Sequence, residues 1–185
     1  MALRVIAGTA GGRGLVAPKG DARPTTDRLK EALFASLGRQ RVAGTSVLDL
    51  YAGSGALAIE ALSRGADRAV LVDDDVAAGV AIGENLHALG FDDRARFERS
   101  TVAGFLGRPI PEAPFDLVLL DPPYDTPAAE VAAVLDLLGA GGVVAPGAMV
   151  VIERPKVGER VAVPSGWQIE RERSYGDTLL VVAIA

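Results

Sequence analysis

The sequence predicts an α/β domain whose mostly parallel sheet is covered by helices on both faces and continues into a C-terminal antiparallel hairpin. Apolar runs that suit buried strands alternate with segments of helical periodicity along most of the 185 residues, a pattern typical of parallel sheets. Three aspartates, Asp49, Asp73 and Asp121, lie at or near the carboxyl ends of predicted strands. Since ligands of open parallel sheets bind beyond the carboxyl ends of the strands, we expect the chemistry just after these three positions.

Each element has its own local signal. Residues 1–20 alternate weakly around Gly11 and Gly12, which is typical of a hairpin or an extended arm. Thr25 or Thr26 can cap a helix, and the apolar residues of DRLKEALFASL then share one face. Downstream, strands are predicted at 46–51, 69–73, 95–98, 115–121 and 148–153, and helices at about 55–64, 75–89, 101–106 and 127–139. The tail predicts a hairpin that turns at Tyr175-Gly176-Asp177.

The composition excludes several classes of protein. With 49% hydrophobic and 23% charged residues, the chain is expected to be globular rather than disordered. Every apolar run is shorter than the roughly 18 residues that span a bilayer, and the N-terminus lacks the apolar core of a signal peptide. Without cysteine there is no disulfide, thiolate nucleophile or cysteine metal site. We expect a cytoplasmic monomer that binds neither a membrane nor a metal ion.

Charge divides the chain into two expected units. Residues 1–41 hold eight Lys/Arg against three Asp/Glu, a net charge of +5, while the remaining 144 residues carry −10. We therefore expect a basic N-terminal extension over 1–40, the hairpin plus the first helix, ahead of a catalytic domain over 41–185. Such segregation indicates that the extension meets an anionic partner, with a solvated arm as the alternative. A pI near 4.9 argues against a protein that coats nucleic acid without specificity.

The stretch LDLYAGSGALAIEAL follows the first strong strand and opens a helix. Its Gly53, Gly55 and Ala58 fit the G-x-G-x-x-G/A pattern, and Asp73 lies 20 residues beyond Gly53. The glycines allow a ligand close to the backbone, and the later acid suits two ribose hydroxyls. This combination also satisfies the fingerprint of dinucleotide binding, so an NAD-dependent oxidoreductase competes on this motif.

Asp49 favours a different ligand. It ends the strand before the loop, where a pyrophosphate would meet an unfavourable carboxylate but a cationic ligand would be attracted. S-adenosylmethionine carries a sulfonium, an ammonium and a ribose, and it has no phosphate. The loop therefore favours a methyl donor over NAD, and the alternative is that Asp49 only caps a backbone turn.

The stretch LLDPPYDT joins a carboxylate, a stiffened backbone and an aromatic ring at the end of a strand. The nitrogen of a nucleobase amine is a poor nucleophile until its lone pair turns toward the methyl group. The Asp121 carboxylate and the Pro122 carbonyl can accept the two amine hydrogens, and Pro123 helps to fix that carbonyl. Tyr124 offers a face for a base that has left its stack. The alternative is a rigid turn with a packed tyrosine.

Together these motifs resemble the amino-methyltransferases with a [D/N]-P-P-[Y/F/W] motif, and more closely the bacterial family that methylates the guanine 2-amino group in 16S ribosomal RNA. The resemblance covers nearly the whole chain. It rests on RVIAGTAGGRGL, RPTTDRLKEALF, VLDLYAGSGALAIEALSRGA, LVDDD, ENLHALG and FDLVLLDPPY. It implies a class I methyltransferase with a Rossmann-like sheet, S-adenosylmethionine as donor, S-adenosylhomocysteine as product and no metal. The implied partner is 16S ribosomal RNA, either naked or within the assembling small subunit.

The resemblance also implies a role for each matching residue. Asp49, Ala52, Gly53, Ser54 and Gly55 would surround the methionine part of the donor, Asp73 its ribose, and Asp74 and Val76 its adenine. The family often has Asp or Asn facing the adenine amine, whereas this sequence has Thr101 after Ser100. Thr25, Thr26, Arg23 and Arg28 would border the donor and the incoming base. Arg4, Arg13, Arg23 and Arg28 are expected to contact RNA, and Asp121, Pro122, Pro123 and Tyr124 to carry catalysis.

Three alternatives to this function stay open. DPPY is shared with DNA adenine and cytosine amine methyltransferases, which the lack of a large target-recognition insert disfavours. An oxidoreductase is disfavoured by Asp49 and DPPY, and a noncatalytic RNA-binding module by the presence of every catalytic residue. Glu153 ends a strand on the ligand side, and the sequence does not distinguish a role at the site from a pair with a basic residue.

Overall fold

The computed structural model describes residues 3–19 and 27–185. Within them a seven-stranded sheet has the order β3-β2-β1-β4-β5-β7-β6. The strands are β1 (Ser46–Leu50), β2 (Arg68–Asp73), β3 (Ala95–Arg99), β4 (Phe115–Leu120), β5 (Val144–Pro155), β6 (Gln168–Tyr175) and β7 (Thr178–Ile184). β1 to β5 run parallel, and β7 is antiparallel to both β5 and β6. The predicted α/β class with its C-terminal antiparallel hairpin is confirmed.

Helices cover both faces of the sheet. They are α1 (Asp27–Leu37), α2 (Arg39–Val42), α3 (Ala56–Ser63), α4 (Val76–Leu89), α5 (Val102–Leu106) and α6 (Ala128–Ala140). One apolar cluster joins α1, α3 and α4 to the sheet, and a second joins α5 and α6 to the opposite face. Because strand side chains alternate between faces, neighbouring residues such as Leu119 and Leu120 belong to different clusters. Two buried faces explain why β1 and β4 read as nearly continuous apolar runs.

Two details differ from the sequence expectation. The single turn of α2 lacked a recognisable signal, since four residues are too few to show helical periodicity. β5 begins at Val144 rather than at 148, and its register with β4 shifts between Phe115 and Leu117. Gly147 has a φ of 80° within this irregular stretch. Pro146 and Gly147 look like loop residues in the sequence, but here they belong to a distorted strand.

The N-terminal residues pack on α3. Arg4 and Gly14 form an antiparallel bridge, and the buried Glu60 carboxylate accepts the backbone N–H groups of Ile6 and Ala7 at 2.7 and 3.1 Å. Ser63 accepts the N–H of Ala10 at 2.9 Å through its hydroxyl. These contacts fix the N-terminal residues beside α3, the helix that follows the glycine loop. This loop is the segment 51–55 between β1 and α3.

Lys30 departs from the charge pattern of the extension. Its side chain is fully buried, and its ammonium group donates to the carbonyl of Arg4 and lies 3.6 Å from Asp27. Burial lowers the pKa of Lys30, against the raising effect of the neighbouring Asp27 and Glu60 carboxylates. This basic residue therefore stabilises the fold and does not face an anionic partner.

Candidate active site

A cavity of about 860 Å³ lies at the carboxyl ends of the parallel strands. Its wall includes the glycine loop after β1, the turn after β2, the DPPY segment after β4 and the β6–β7 turn. Leu3, Ala17, Pro18 and Arg28 close it from the N-terminal side. This is the position that Asp49, Asp73 and Asp121 predict for a ligand of a parallel sheet.

Six of the twelve residues predicted to bind the methyl donor line this cavity. They are Asp49, Ala52, Gly53, Ser54, Asp73 and Asp74. Asp75, which was not predicted, joins them at the N-terminus of α4, where its carboxylate accepts the N–H of Ala77 at 2.8 Å. One wall of the cavity is therefore acidic.

The two carboxylate oxygens of Asp49 differ in their contacts. One carboxylate oxygen, Oδ2, accepts the N–H of Ala58 in the first turn of α3 at 3.0 Å. The other, Oδ1, is buried and has no hydrogen-bond partner among the residues that the structure describes. Burial raises the pKa of the Asp49 carboxyl well above its usual value, and the charges of Asp121 and Asp73 add to the rise. Such an unsatisfied acceptor fits a cationic group in the cavity.

The glycine loop and Asp73 hold each other in place. Gly53 has a φ of 55° and donates its N–H to Oδ2 of Asp73 at 2.8 Å, while Asp75 donates to Oδ1 at 3.0 Å. Gly55 lies behind the loop rather than in the cavity wall. A Cβ on Gly55 would come within 2.8 Å of Leu71 of β2, so this glycine allows α3 to start close to the sheet.

Tyr51 is a cavity residue that the sequence analysis missed. It is the non-glycine residue of the described chain with a left-handed backbone, at a φ of 62°, and it lines the cavity next to the glycine loop. Burial raises the pKa of its phenol, and the carboxylates of Glu130 and Asp74 add to the rise. In the sequence, only the neighbouring glycines indicate an unusual backbone conformation at Tyr51.

Several predicted donor residues do not line the cavity. Val76 is 59% exposed at the start of α4, the Thr101 hydroxyl caps α5 by accepting the N–H of Gly104 at 3.2 Å, and the Ser100 hydroxyl donates to the Thr101 carbonyl. Their contacts with adenine stay predictions. Thr25, Thr26 and Arg23 lie in 20–26, outside the described residues, so their predicted roles stay predictions too.

All four DPPY residues line the same cavity as the donor residues. Asp121 follows the last residue of β4, and its N–H points to the carbonyl of Leu50 in β1 at 3.4 Å. The Tyr124 hydroxyl contacts two buried residues, Oε1 of Glu153 in β5 at 3.3 Å and Oγ1 of Thr178 in β7 at 2.5 Å. The predicted catalytic segment is thus fixed by the two strands beside it.

The β6–β7 turn is a second part of the wall that the sequence did not reveal. Residues 174–178 line the cavity beside Tyr124. They come there because β7 returns antiparallel along β5, pairing Thr178 with Pro155 and Leu180 with Glu153. The position of this turn beside the cavity depends on pairing between residues more than 20 positions apart in the sequence, and no local motif predicts such pairing.

The predicted RNA-contacting arginines differ in their surroundings. Arg28 is exposed and lines the cavity. Arg4 has a side chain that is 59% exposed and pairs with Asp27 at 2.8 Å. Arg13 is exposed and donates to the carbonyl of Ala88 at 2.8 Å. The three arginines are therefore accessible to a large anionic partner.

Across residues 3–19 and 27–185, no group of three or more His, Asp or Glu side chains is placed to hold a metal ion. Among the described helices none has the length and apolarity to cross a membrane.

The strand order, with a glycine loop after β1 and the antiparallel β7 inserted between β5 and β6, is that of the class I methyltransferases. The family model described as Conserved hypothetical protein 95 matches residues 3–184. Ribosomal RNA small subunit methyltransferase D of Escherichia coli is 35% identical over 175 residues, which cover 94% of this chain and 85% of that protein. The chain belongs to the family of ribosomal RNA small subunit methyltransferase D.

Solved structures agree with this assignment. The Escherichia coli yhhF protein, described as a candidate methyltransferase, superposes with a TM-score of 0.88 at 31% identity and covers 100% of this chain and 98% of its own. A hypothetical protein of Thermus thermophilus gives a TM-score of 0.77 at 34% identity, with 97% of both chains covered.

Proposed function

We propose that this protein transfers a methyl group from S-adenosylmethionine to the exocyclic 2-amino group of a guanine in small-subunit (16S) ribosomal RNA. One observation carries the proposal: the glycine loop with Asp49 and Asp73, and the DPPY segment, line a single cavity. A donor bound at the glycine loop would thus present its methyl group to an amine bound at the DPPY segment. Membership of the family supports ribosomal RNA as the substrate.

The donor residues fit a cation with a ribose. The buried Oδ1 of Asp49 supplies an acceptor for the ammonium group, and Asp73 retains lone pairs for the ribose hydroxyls beside its two backbone contacts. When bound, S-adenosylmethionine supplies the methyl group: the new N–C bond forms as the C–S bond breaks and the electron pair stays on sulfur.

The DPPY residues act on the amine. Asp121 and the Pro122 carbonyl accept its two hydrogens and thereby direct the nitrogen lone pair toward the donor. Tyr124 holds the plane of the base. The nitrogen gains positive charge during the transfer, which the Asp121 carboxylate stabilises, and it then loses one of its protons to become the neutral methylated amine.

The experiment that tests the function uses purified protein, S-adenosylmethionine with a deuterated methyl group, and three substrates: naked 16S RNA, small-subunit particles and duplex DNA. Mass spectrometry of the digested nucleosides should detect labelled N2-methylguanosine from RNA or particles. A labelled methyl group on DNA adenine or cytosine would favour the DNA alternative instead. Tight NAD binding without donor binding would favour the oxidoreductase alternative.

Asp73 gives a test of donor recognition. Asp73→Ala should weaken S-adenosylmethionine binding by about 1–3 kcal/mol, because two hydroxyls lose a charged acceptor and Gly53 loses its anchor. Isothermal calorimetry measures the change. The matched control is Asp93→Ala, an exposed aspartate outside the cavity, which should bind the donor normally. Equal affinities for both variants would remove Asp73 from the ribose role.

We further propose that residues 1–40 form the basic extension that meets RNA, with Arg4, Arg13, Arg23 and Arg28 as its main phosphate contacts. The accessible Arg4, Arg13 and Arg28 support this, as does the net positive charge of the segment. One chain holds both walls of the cavity, which fits a protein that acts as a monomer.

The double variant Arg4→Gln/Arg13→Gln tests the extension. It should flatten the log–log salt dependence of RNA binding by about one to two units, because each phosphate contact contributes roughly one counterion. Donor affinity should be unchanged, as neither arginine lines the cavity. Arg68→Gln/Arg160→Gln removes two exposed arginines elsewhere and should keep the wild-type slope. The same slope for both double variants would place the RNA surface elsewhere.

A further inference from the structure

Glu153 lies beside Asp121, the first residue of the DPPY segment, near the carboxyl ends of two neighbouring strands. Leu120 of β4 pairs with Ile152 of β5, so the next residues of the two strands, Asp121 and Glu153, are neighbours. Both line the cavity, and Glu153 is only 7% exposed. Neighbouring strands are about 4.8 Å apart, a spacing at which the carboxylates of both residues can reach one base.

The Glu153 carboxylate is held in position by Tyr124. The Tyr124 hydroxyl donates to Oε1 of Glu153 across 3.3 Å and accepts from the hydroxyl of the buried Thr178 at 2.5 Å. The ring that offers a stacking surface is therefore tied to the carboxylate at its edge. A base stacked on Tyr124 would have its hydrogen-bonding edge directed by both Asp121 and Glu153.

The chemistry of the bases decides what such an edge can accept. An ionised carboxylate only accepts hydrogen bonds. Guanine presents its 2-amino group next to N1–H, so two donors lie side by side. In adenine and cytosine the ring nitrogen next to the exocyclic amine carries a lone pair, which a second carboxylate would repel.

We propose that Glu153 selects guanine by accepting the N1–H hydrogen bond while Asp121 holds the amine. The inference rests on the proposed function and extends it to the choice of base. It gives a physical reason why a DPPY motif that is also found in adenine and cytosine amine methyltransferases acts on guanine here. A site built to accept from a donor rejects a base that presents a lone pair in its place.

The test uses 2-aminopurine, which keeps the 2-amino group of guanine but has a lone pair in place of N1–H and a hydrogen in place of O6. RNA carrying either base at the modified position is compared for kcat/KM and, with S-adenosylhomocysteine bound so that no turnover occurs, for affinity. Wild-type protein should prefer guanine by roughly 10- to 100-fold. Glu153→Gln should lose most of this preference, since its amide can donate to the lone pair of 2-aminopurine as well as accept from guanine.

Glu159→Gln is the matched control, because it makes the same change at an exposed glutamate outside the cavity and should keep the wild-type preference. If Glu153→Gln retains the wild-type ratio of affinities for the two RNAs, Glu153 does not select guanine. The proposed function fails in a different way, with no ribosomal guanine methylated by the wild-type protein, and the inference would then fail with it.

Discussion

Replacing Asp121 by alanine should lower kcat for methyl transfer by about two to three orders of magnitude, an effect typical of preorganised electrostatic groups. In the proposed reaction its carboxylate accepts from an amine whose nitrogen becomes cationic, so the hydrogen bond would strengthen in the transition state. The loss should therefore appear in kcat rather than in the KM for RNA. Single-turnover transfer of a labelled methyl group to 16S RNA measures it.

Asp121→Asn separates charge from shape. It keeps one acceptor oxygen but loses the negative charge, so its rate should lie between those of the wild type and Asp121→Ala. Both variants should fold and bind the donor, because the glycine loop is built on contacts that do not involve Asp121. A near wild-type rate for Asp121→Ala would mean that DPPY is only a structural turn.

Replacing Asp49 by asparagine should weaken donor binding by about 2–5 kcal/mol, the range seen when one partner of a buried charge pair is removed. Asparagine can still accept the N–H of Ala58, so the start of α3 should be preserved. Calorimetry with S-adenosylmethionine gives the affinity. Unchanged affinity would mean that Asp49 serves only as the cap of that helix.

The same substitution should change the pH dependence of stability in the ligand-free protein. Burial raises the pKa of Asp49, so the folded state keeps a proton that the unfolded chain has lost. Between the unfolded value, about 3.9, and the raised pKa, the unfolded state binds fewer protons and stability falls as pH rises. Asp49→Asn removes this contribution. Its unfolding midpoint should exceed that of the wild type by an increasing margin as pH rises through this window, as thermal unfolding at a series of pH values can measure.

The strands and helices were largely predictable because buried parallel strands and amphipathic helices leave strong periodic signals. β4, for example, was expected at 115–121 and spans Phe115–Leu120. The glycine loop and the DPPY segment were also predictable, since strained backbone and paired prolines need particular residue types. The rule that strands present ligands at their carboxyl ends then correctly placed Asp49, Asp73 and Asp121 at one cavity.

What could not be predicted depends on long-range pairing. Nothing in the sequence around Thr178 indicates that β7 will bring it to the Tyr124 hydroxyl. The role proposed for Glu153 likewise depends on its position beside Asp121, which follows the neighbouring strand. The burial of Lys30 was not predictable either. A lysine in a basic segment suggests a solvated charge, but this side chain is fully buried. Charge counted along a sequence does not tell which side chains face the solvent.

The most direct test of the central claim is nucleoside mass spectrometry of 16S ribosomal RNA from cells that lack the protein. The strain should be compared with the same cells carrying the wild-type chain or Asp121→Ala. N2-methylguanosine should disappear from one position on deletion, return with the wild-type chain and not return with the variant. An unchanged N2-methylguanosine content after deletion would contradict the central claim.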